Sequence, residues 1–485
     1  MNKNFEALNP SLVWKHFYAI TQIPRPSHHE ERIRQYIVDF AAAKGLECKV
    51  DEACNVYVAK AASAGFEDRK VVVLQSHLDM VPQKNNDKVF DFENDPIEAY
   101  IDGEWVTANG TTLGADNGIG VAATLAILED DTLVHGPIEA LFTATEETGM
   151  DGAFGLQAGL LKGDMLLNLD SEDEGELYVG CAGGLDVNIS LDYTAEAAPA
   201  TGYKAYSLEV KGLSGGHSGI QIICQRANAN RLLCRLLEHT DVEWLLADID
   251  GGGLRNAIPR EAVATVLVKE EDAARFEEAV AAYEKEVICE FENIESSISV
   301  KVAAVAMPAE IIPAAVASKL VKAVVAAPNG VQKMSVEMEG LVQTSSNLAR
   351  VVSDGKCIKL QCLLRSSVNS EKWALAEAIR AAFELAGGKV VLDGAYDGWK
   401  PNMASPILHT MLASYEARYG VRPAVKAIHA GLECGIIGGV YPELDMISIG
   451  PTIRYPHSPD EKVNIASVEK FYDFLVDTLK NVPVK

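Results

Sequence analysis

No run in this 485-residue sequence approaches the ~18 uninterrupted apolar residues that a membrane span requires. The richest stretch, residues 313–328, is full of Ala and Val but is interrupted by Lys319 and Lys322, and it reads as an amphipathic helix. The first twenty residues lack a basic segment followed by an apolar one, so no secretory leader is expected. Positive charge is scarce as well. Against 69 Asp and Glu there are 43 Lys and Arg, a formal net charge of −26. That balance argues against a nucleic-acid partner, because a phosphate backbone needs Lys/Arg patches to replace its counterions. The acidity itself is mostly a solubility property and points to no substrate. Cysteine is present but unorganised: nine residues, an odd number, scattered, with no Cys-x-x-Cys. Such usage suits reduced thiols in a cytoplasmic protein, not a disulfide framework.

What is present is an ordinary globular composition, 48% hydrophobic and 23% charged, on a chain long enough for two domains. Residues 28–44 read as an amphipathic helix. Short apolar β-type runs follow at Val71–Leu74, Ile138–Thr143 and Met165–Leu169, with a helix at about 119–128 between the first two. Near the C-terminus come a helix at about 406–418, a strand at Met446–Ile449 and a helix at about 467–480. Apolar strands alternating with helices predict an α/β domain around a mostly parallel sheet covered on both faces. The middle reads as strand 206–211, helix 219–238, strands at 243–249 and 262–268, helix 271–288 and strand 299–305. This is the βαββαβ order of a ferredoxin-like fold. A partial second copy follows: helix 314–326, strands near 336–351 and 357–364, helix 371–386 and strand 389–392. The expected architecture is a catalytic domain of residues 1–185 and 399–485, with an inserted α+β lid domain, a duplicated ferredoxin-like unit, over 186–398.

The chemistry-bearing residues lie just past the C-terminal ends of the predicted strands, the edge where open α/β sheets gather ligands. The first strand runs into Gln75–Ser–His77–Leu–Asp79. On an extended chain His77 and Asp79 point to the same side. One can bind a metal while the other holds the second ring nitrogen, although the motif taken alone reads by default as a surface pair. Gly114–Ala–Asp116–Asn–Gly118 is a glycine-rich turn opening a helix, in which Asp116 could be a helix cap. It is not a phosphate loop, since no Gly-Lys-[Ser/Thr] follows. Glu146 and Glu147 are adjacent carboxylates after a strand, repelling each other unless solvent or a cation compensates. One could ligate a metal while its neighbour carries a proton; an exposed acidic turn is the alternative. Asp170 ends an apolar strand, and His457 sits in the loop Tyr455–Pro–His–Ser–Pro–Asp–Glu461. Two histidines and several carboxylates at one sheet edge, without thiolates, favour zinc or a similar divalent ion in a catalytic role.

This spaced set resembles the dinuclear zinc exopeptidases and deacylases, a family that includes carboxypeptidases, aminoacylases and dipeptidases. The resemblance runs the whole chain. It is closest to the bacterial aminoacyl-histidine dipeptidases, through Asn168–Gly175, Gly252–Glu261 and His429–Gly435. It implies two zinc ions, with cobalt or manganese as substitutes. His77 and Asp170 would hold one, Glu147 and His457 the other, with Asp116 bridging. Asp79 would orient His77, and Glu146 would be the general base. By the same resemblance His217, in Ser214–Gly–Gly–His–Ser–Gly219, stabilises the oxyanion, and Arg365 clamps the substrate's C-terminal carboxylate. Asn256 and the backbone of Gly431 are further substrate contacts, and the role of Glu433 stays open.

The expected activity is hydrolysis of unblocked dipeptides, preferentially Xaa-His and including β-Ala-His. An N-acyl amino acid deacylase of the same fold is the alternative. A non-catalytic peptide- or metal-binding protein is disfavoured, because the base Glu146 is intact. The only expected partners are a small dipeptide and a second copy of the chain in a homodimer.

Overall fold

The strands Val72–His77, Ile138–Thr143 and Met165–Asn168 are buried at every position, and Asp445–Ser448 at all but its first. Strands without alternation need cover on both faces, and that is how they are used. The structure, a computed structural model, describes residues 4–485. The four strands lie side by side and parallel, in the order Ile138–Thr143, Val72–His77, Met165–Asn168, Asp445–Ser448. Val56–Lys60 adds antiparallel to Ile138–Thr143, followed by Glu47–Val50; Glu176–Cys181 and Ala424–Ile428 extend the other edge to eight strands. The helix Ala115–Glu129 is apolar nearly all round and almost wholly buried, packed between Val72–His77 and the helix Ser11–Thr21. The mixed sheet with helical cover agrees with the α/β class read from the sequence.

The chain divides into two compact units, one formed by residues up to Gly180 with Trp399–Ala427 and Leu432–Lys485, the other by Cys181–Gly398 with Ile428–Gly431. The second unit carries an antiparallel sheet of nine strands. One half of it is Ser299–Val305, Tyr203–Lys211, Ala262–Lys269 and Trp244–Gly252, which is the 4-1-3-2 order of a complete βαββαβ motif. The other half is Val342–Ser353, Cys357–Ser366, Gly183–Asp192 and Lys389–Tyr396, the same order reversed. The second copy is therefore complete and not partial. Its first strand, Gly183–Asp192, precedes the first copy in sequence, so one motif is threaded inside the other. The two second strands join the halves, with Gly251 opposite Val351. Helices from both copies bury into one continuous core, among them Leu232, Phe276 and Tyr283 from the inner copy and Leu320, Ile379 and Phe383 from the outer.

One expected helix is much shorter than its sequence pattern suggested. In place of residues 219–238, the helix spans Ala229–His239. Asn228 sits in extended conformation, and its side-chain oxygen accepts the N–H of Arg231 at 3.2 Å, which starts the helix there.

Candidate metal centre

The parallel strands deliver their last residues to one edge. His77 closes Val72–His77, Glu146 and Glu147 follow Ile138–Thr143, and Asp170 follows Met165–Asn168. Asp116 arrives from the turn ahead of the long buried helix. Its φ and ψ are −80° and 111°, outside the helical region, and the cap position belongs to Gly114. Gly114 has φ 71°, and a Cβ there would lie 2.6 Å from Arg25 Nη2 and 2.8 Å from Met80 Sδ, so only glycine fits. His457 comes from the loop between Ile453–Arg454 and Lys462–Asn464, with φ 59°.

Asp116 faces both histidines. Its Oδ1 is 3.0 Å from His77 Nε2 and its Oδ2 is 3.1 Å from His457 Nε2. Asp170 Oδ1 lies 3.3 Å from His77 Nε2 on one side, and Glu147 Oε2 lies 2.9 Å from His457 Nε2 on the other. Ligand-type atoms within 4.8 Å of one another group as His77, Asp116 and Asp170, as Asp116, Glu147 and His457, and as His77, Glu146 and Glu147. All five ligand candidates and the candidate base thus converge, with Asp116 common to the first two groups.

The donors fit a pair of divalent cations. Among the described residues Glu147 Oε1 is buried without a hydrogen-bond partner, and Asp170 Oδ1 has only the 3.3 Å approach of His77 Nε2. Buried anionic oxygens in that state are costly unless a cation meets them. Burial raises Asp170 to about 7, helped by the charges of Asp116 and Glu147. Burial also pushes Glu146 well above its ordinary value, with Asp170 and Glu433 adding to it. Hydrogen bonds donated to the Asp116 and Glu147 carboxylates lift His457 to about 11. Nitrogen and carboxylate ligands with no thiolate suit zinc, cobalt or manganese.

A set of buried polar residues holds these candidate ligands, and the sequence reading gave a role to only one of them, Asp79. Asp79 lies 3.3 Å from His77 Nδ1 through Oδ1, which also accepts the N–H of Glu146 at 2.9 Å. Its Oδ2 accepts the N–H of Glu147 at 3.1 Å and the hydroxyl of Ser27 at 2.7 Å. Arg25, fully buried, donates to the carbonyls of Leu78, Asp79 and Gly114 at 2.8, 2.6 and 2.5 Å. Glu30 receives the N–H and hydroxyl of Thr145, at 3.0 and 2.8 Å. Glu433, open in the sequence reading, is buried, and its Oε2 accepts from Gln75 Nε2 at 2.6 Å and Thr143 Oγ1 at 2.9 Å. Arg25, Ser27 and Glu30 carry no local motif. Their charge and polarity become meaningful only once tertiary structure buries them.

The remaining predicted residues belong to the second unit. The short strand Gly216–His217 pairs with Ala257–Ile258, and the N–H of Ser218 donates to the carbonyl of Asn256 at 2.8 Å, which ties Asn256 to the His217 loop. His217 Nδ1 accepts the N–H groups of Gly219 and Ile220, both at 3.1 Å. Burial, with the charge of Arg365 adding, lowers its proton affinity. Arg365 is 7% exposed; among the described residues its Nε has no hydrogen-bond partner, and its Nη1 lies 3.4 Å from Tyr396 Oη. Gly219 separates the two: a Cβ on it would sit 3.0 Å from His217 Cε1 and 3.1 Å from Arg365 Nε. Gly431 packs on the Tyr396 ring, where a Cβ would lie 2.8 Å from the phenol oxygen. His429, which sequence reading placed only within a motif, joins this group. Its Nε2 lies 2.7 Å from Ser345 Oγ, and burial followed by the charge of Arg365 brings it down to about 3.

Residues 73–481 match the model of Peptidase family M20/M25/M40. The chain is 46% identical over 480 residues to the cytosol non-specific dipeptidase of Escherichia coli (strain K12), covering 99% of each. The crystal structure of aminoacylhistidine dipeptidase from Vibrio alginolyticus superposes with a TM-score of 0.96 at 46% identity, over 100% of this chain and 99% of that one. A tripeptidase from Staphylococcus aureus shares the fold at a TM-score of 0.56 and 15% identity, over 98% of this chain and 99% of its own. A strand-end cluster of two histidines and four carboxylates, set in a chain that matches these relatives from end to end, makes the protein a member of Peptidase family M20/M25/M40.

Proposed function

We propose that this metallo-dipeptidase is a cytosolic, homodimeric enzyme that uses two zinc ions to hydrolyse unblocked dipeptides, preferring a C-terminal histidine and accepting β-Ala-His. The observation that carries the reading is Asp116, whose two oxygens face His77 and His457 at 3.0 and 3.1 Å. One carboxylate with a histidine on each oxygen is the arrangement of a shared ligand. His77 and Asp170 would hold one ion and Glu147 and His457 the other; cobalt or manganese would substitute. When bound, the ions lower the cost of ionising water and polarise the peptide carbonyl.

The chain's own groups do the rest. Glu146 takes the proton of the attacking water on a carboxylate oxygen and returns it to the leaving amine nitrogen. Asp79 fixes the His77 ring through Nδ1 and the Glu146–Glu147 turn through both N–H groups. His217 accepts two backbone N–H groups on Nδ1, so its neutral form carries hydrogen on Nε2 and can donate to the oxyanion. Arg365, buried and with Nε unpartnered, is a cation suited to the dipeptide's terminal carboxylate. Asn256 and the Gly431 backbone supply further substrate contacts.

The preference for histidine draws support from the Vibrio relative, whose name specifies aminoacylhistidine, while the Escherichia coli relative is named non-specific. Cytosolic placement draws on the latter name and on nine cysteines that form no disulfide among the described residues. The test is kcat/KM of the zinc-loaded protein for Ala-His, β-Ala-His, Ala-Leu, Ala-Ala-His and N-acetyl-His. Ala-His and β-Ala-His should lead, with little tripeptide cleavage. Preference for N-acetyl-His would make the protein a deacylase, and preference for Ala-Leu a general dipeptidase. Sedimentation of the purified chain checks the dimer.

A further inference from the structure

Glu461 is 2% exposed, yet it ligates nothing in the proposed reading. Its carboxylate gathers four consecutive backbone N–H groups. Oε2 accepts Leu113 at 2.8 Å and Gly114 at 3.0 Å, while Oε1 accepts Ala115 at 2.7 Å and Asp116 at 3.3 Å. Arg25 Nη2 grips the carbonyl of Gly114 in the same turn. The turn that presents Asp116 is thus held between a buried anion on its N–H groups and a buried cation on its carbonyl.

The same glutamate ends the His457 loop. The N–H of Glu461 donates to the carbonyl of Ser458 at 3.0 Å, and its carbonyl accepts Thr107 Oγ1 at 2.8 Å. The strand Lys462–Asn464 follows at once and pairs with Trp105–Ala108. Between the two short strands the loop is unfavourable by itself, since Tyr455 and His457 hold φ of 55° and 59° without being glycine. His457 is 51% exposed at its side chain and has little packing of its own to hold it. Apart from the contact of His457 with Asp116 itself, the Glu461 carboxylate fastens this loop to the backbone of the Asp116 turn.

We infer that Glu461 is a positioning residue that locks the Asp116 turn to the His457 loop and so sets the spacing of the Asp116, Glu147 and His457 group. The inference rests on the two-metal reading above. Its consequence is asymmetric. The group of His77, Asp116 and Asp170 draws two members from rigid strand ends, whereas the His457 group depends on a loop that Glu461 fastens. Glutamine in its place keeps the shape but offers one acceptor oxygen, and its amide N–H₂ opposes two backbone donors.

The test is cobalt(II) titration of metal-stripped protein, read by visible absorption and by elemental analysis after dialysis. The parent should take two cobalt ions per chain. In Glu461→Gln the first should bind as in the parent, and the second should weaken by at least about tenfold, as for loss of a ligand-orienting partner. Glu461→Asp, which keeps both oxygens on a shorter arm, should give a smaller loss of the same second ion and serves if the glutamine variant fails to fold. His457→Ala should reproduce the pattern in full. A parent that binds no metal overturns the two-metal reading. A parent that binds two while both Glu461 variants match it, or lose both ions equally, overturns the positioning role.

Discussion

Asp79 Oδ1 lies 3.3 Å from His77 Nδ1 and accepts the backbone N–H of Glu146 at 2.9 Å, so one oxygen aligns a candidate metal ligand and the candidate base together. Asp79→Asn keeps the shape but removes the charge and one acceptor. We expect kcat/KM to fall by about 10–100-fold with the fold intact. Steady-state kinetics at saturating zinc, beside a thermal melt, checks this. Parent-like activity would remove Asp79 from the machinery.

Glu146 and Glu147 are neighbours with different expected jobs. Glu146→Ala should lower kcat by about 10²–10⁴-fold, the usual contribution of a proton-transfer group, and leave two metals per chain. Glu147→Ala should lose metal along with activity, because Glu147 Oε2 faces His457 at 2.9 Å. Metal analysis of both variants decides the assignment, and the reverse pattern would exchange the roles.

Arg365 is a nearly buried cation whose Nε has no hydrogen-bond partner among the described residues. If the substrate carboxylate supplies one, Arg365→Met should weaken transition-state binding of free dipeptides by about 2–5 kcal/mol. Dipeptide amides should already be poor substrates of the parent. Equal cleavage of acids and amides would place the clamp elsewhere.

Glu129 ends the buried helix Ala115–Glu129 and receives Lys15 Nζ at 3.0 Å, Lys44 Nζ at 3.3 Å and His16 Nε2 at 2.7 Å. Burial opposes its charge, but these three donors outweigh it and bring its pKa from 4.5 down to about 2. A depressed carboxylate stabilises the fold above its unfolded value and loses that contribution as pH falls through the window from 4.5 to about 2. Glu129→Gln should cost about 1 kcal/mol at neutral pH, after allowing for solvent screening. In urea melts the gap to the parent should narrow between neutral pH and pH ~3. A gap of constant size would show that the loss is not electrostatic.

Strands were the most legible part of the sequence. Ile138–Thr143 and Ser299–Val305 fall where periodicity places them, because each has strong β-formers and clear flanking breaks. The inner βαββαβ copy could be read for the same reason: its six elements are consecutive. Gly183–Asp192 escaped because it is separated from its motif by the whole inner copy, and local pattern cannot join segments that far apart. The helix expected over 219–238 failed in its first half, where a capping asparagine outcompeted apolar spacing. In the site, His77, Asp116 and Asp170 announced themselves by lying at strand ends and in a glycine turn. Arg25 and Glu30 did not, because a buried charge is visible only after the chain has folded around it.

The threading of one motif through the other also orders events during synthesis. Entry to and exit from the inner copy lie side by side, since Glu196–Ala197 pairs antiparallel with Glu310–Ile311. Once Val305 has left the ribosome, the inner copy has every strand it needs. The strand Gly183–Asp192, made earlier, must wait for both of its neighbours, Cys357–Ser366 and Lys389–Tyr396. Through that interval a strand with one apolar face stands with two open edges, the state in which nascent chains mispair or recruit a chaperone. The inner copy, continuous in sequence and closed at its stem, is by the same geometry a segment that could be lifted out, while the outer copy can be completed only by a chain that has already housed a guest.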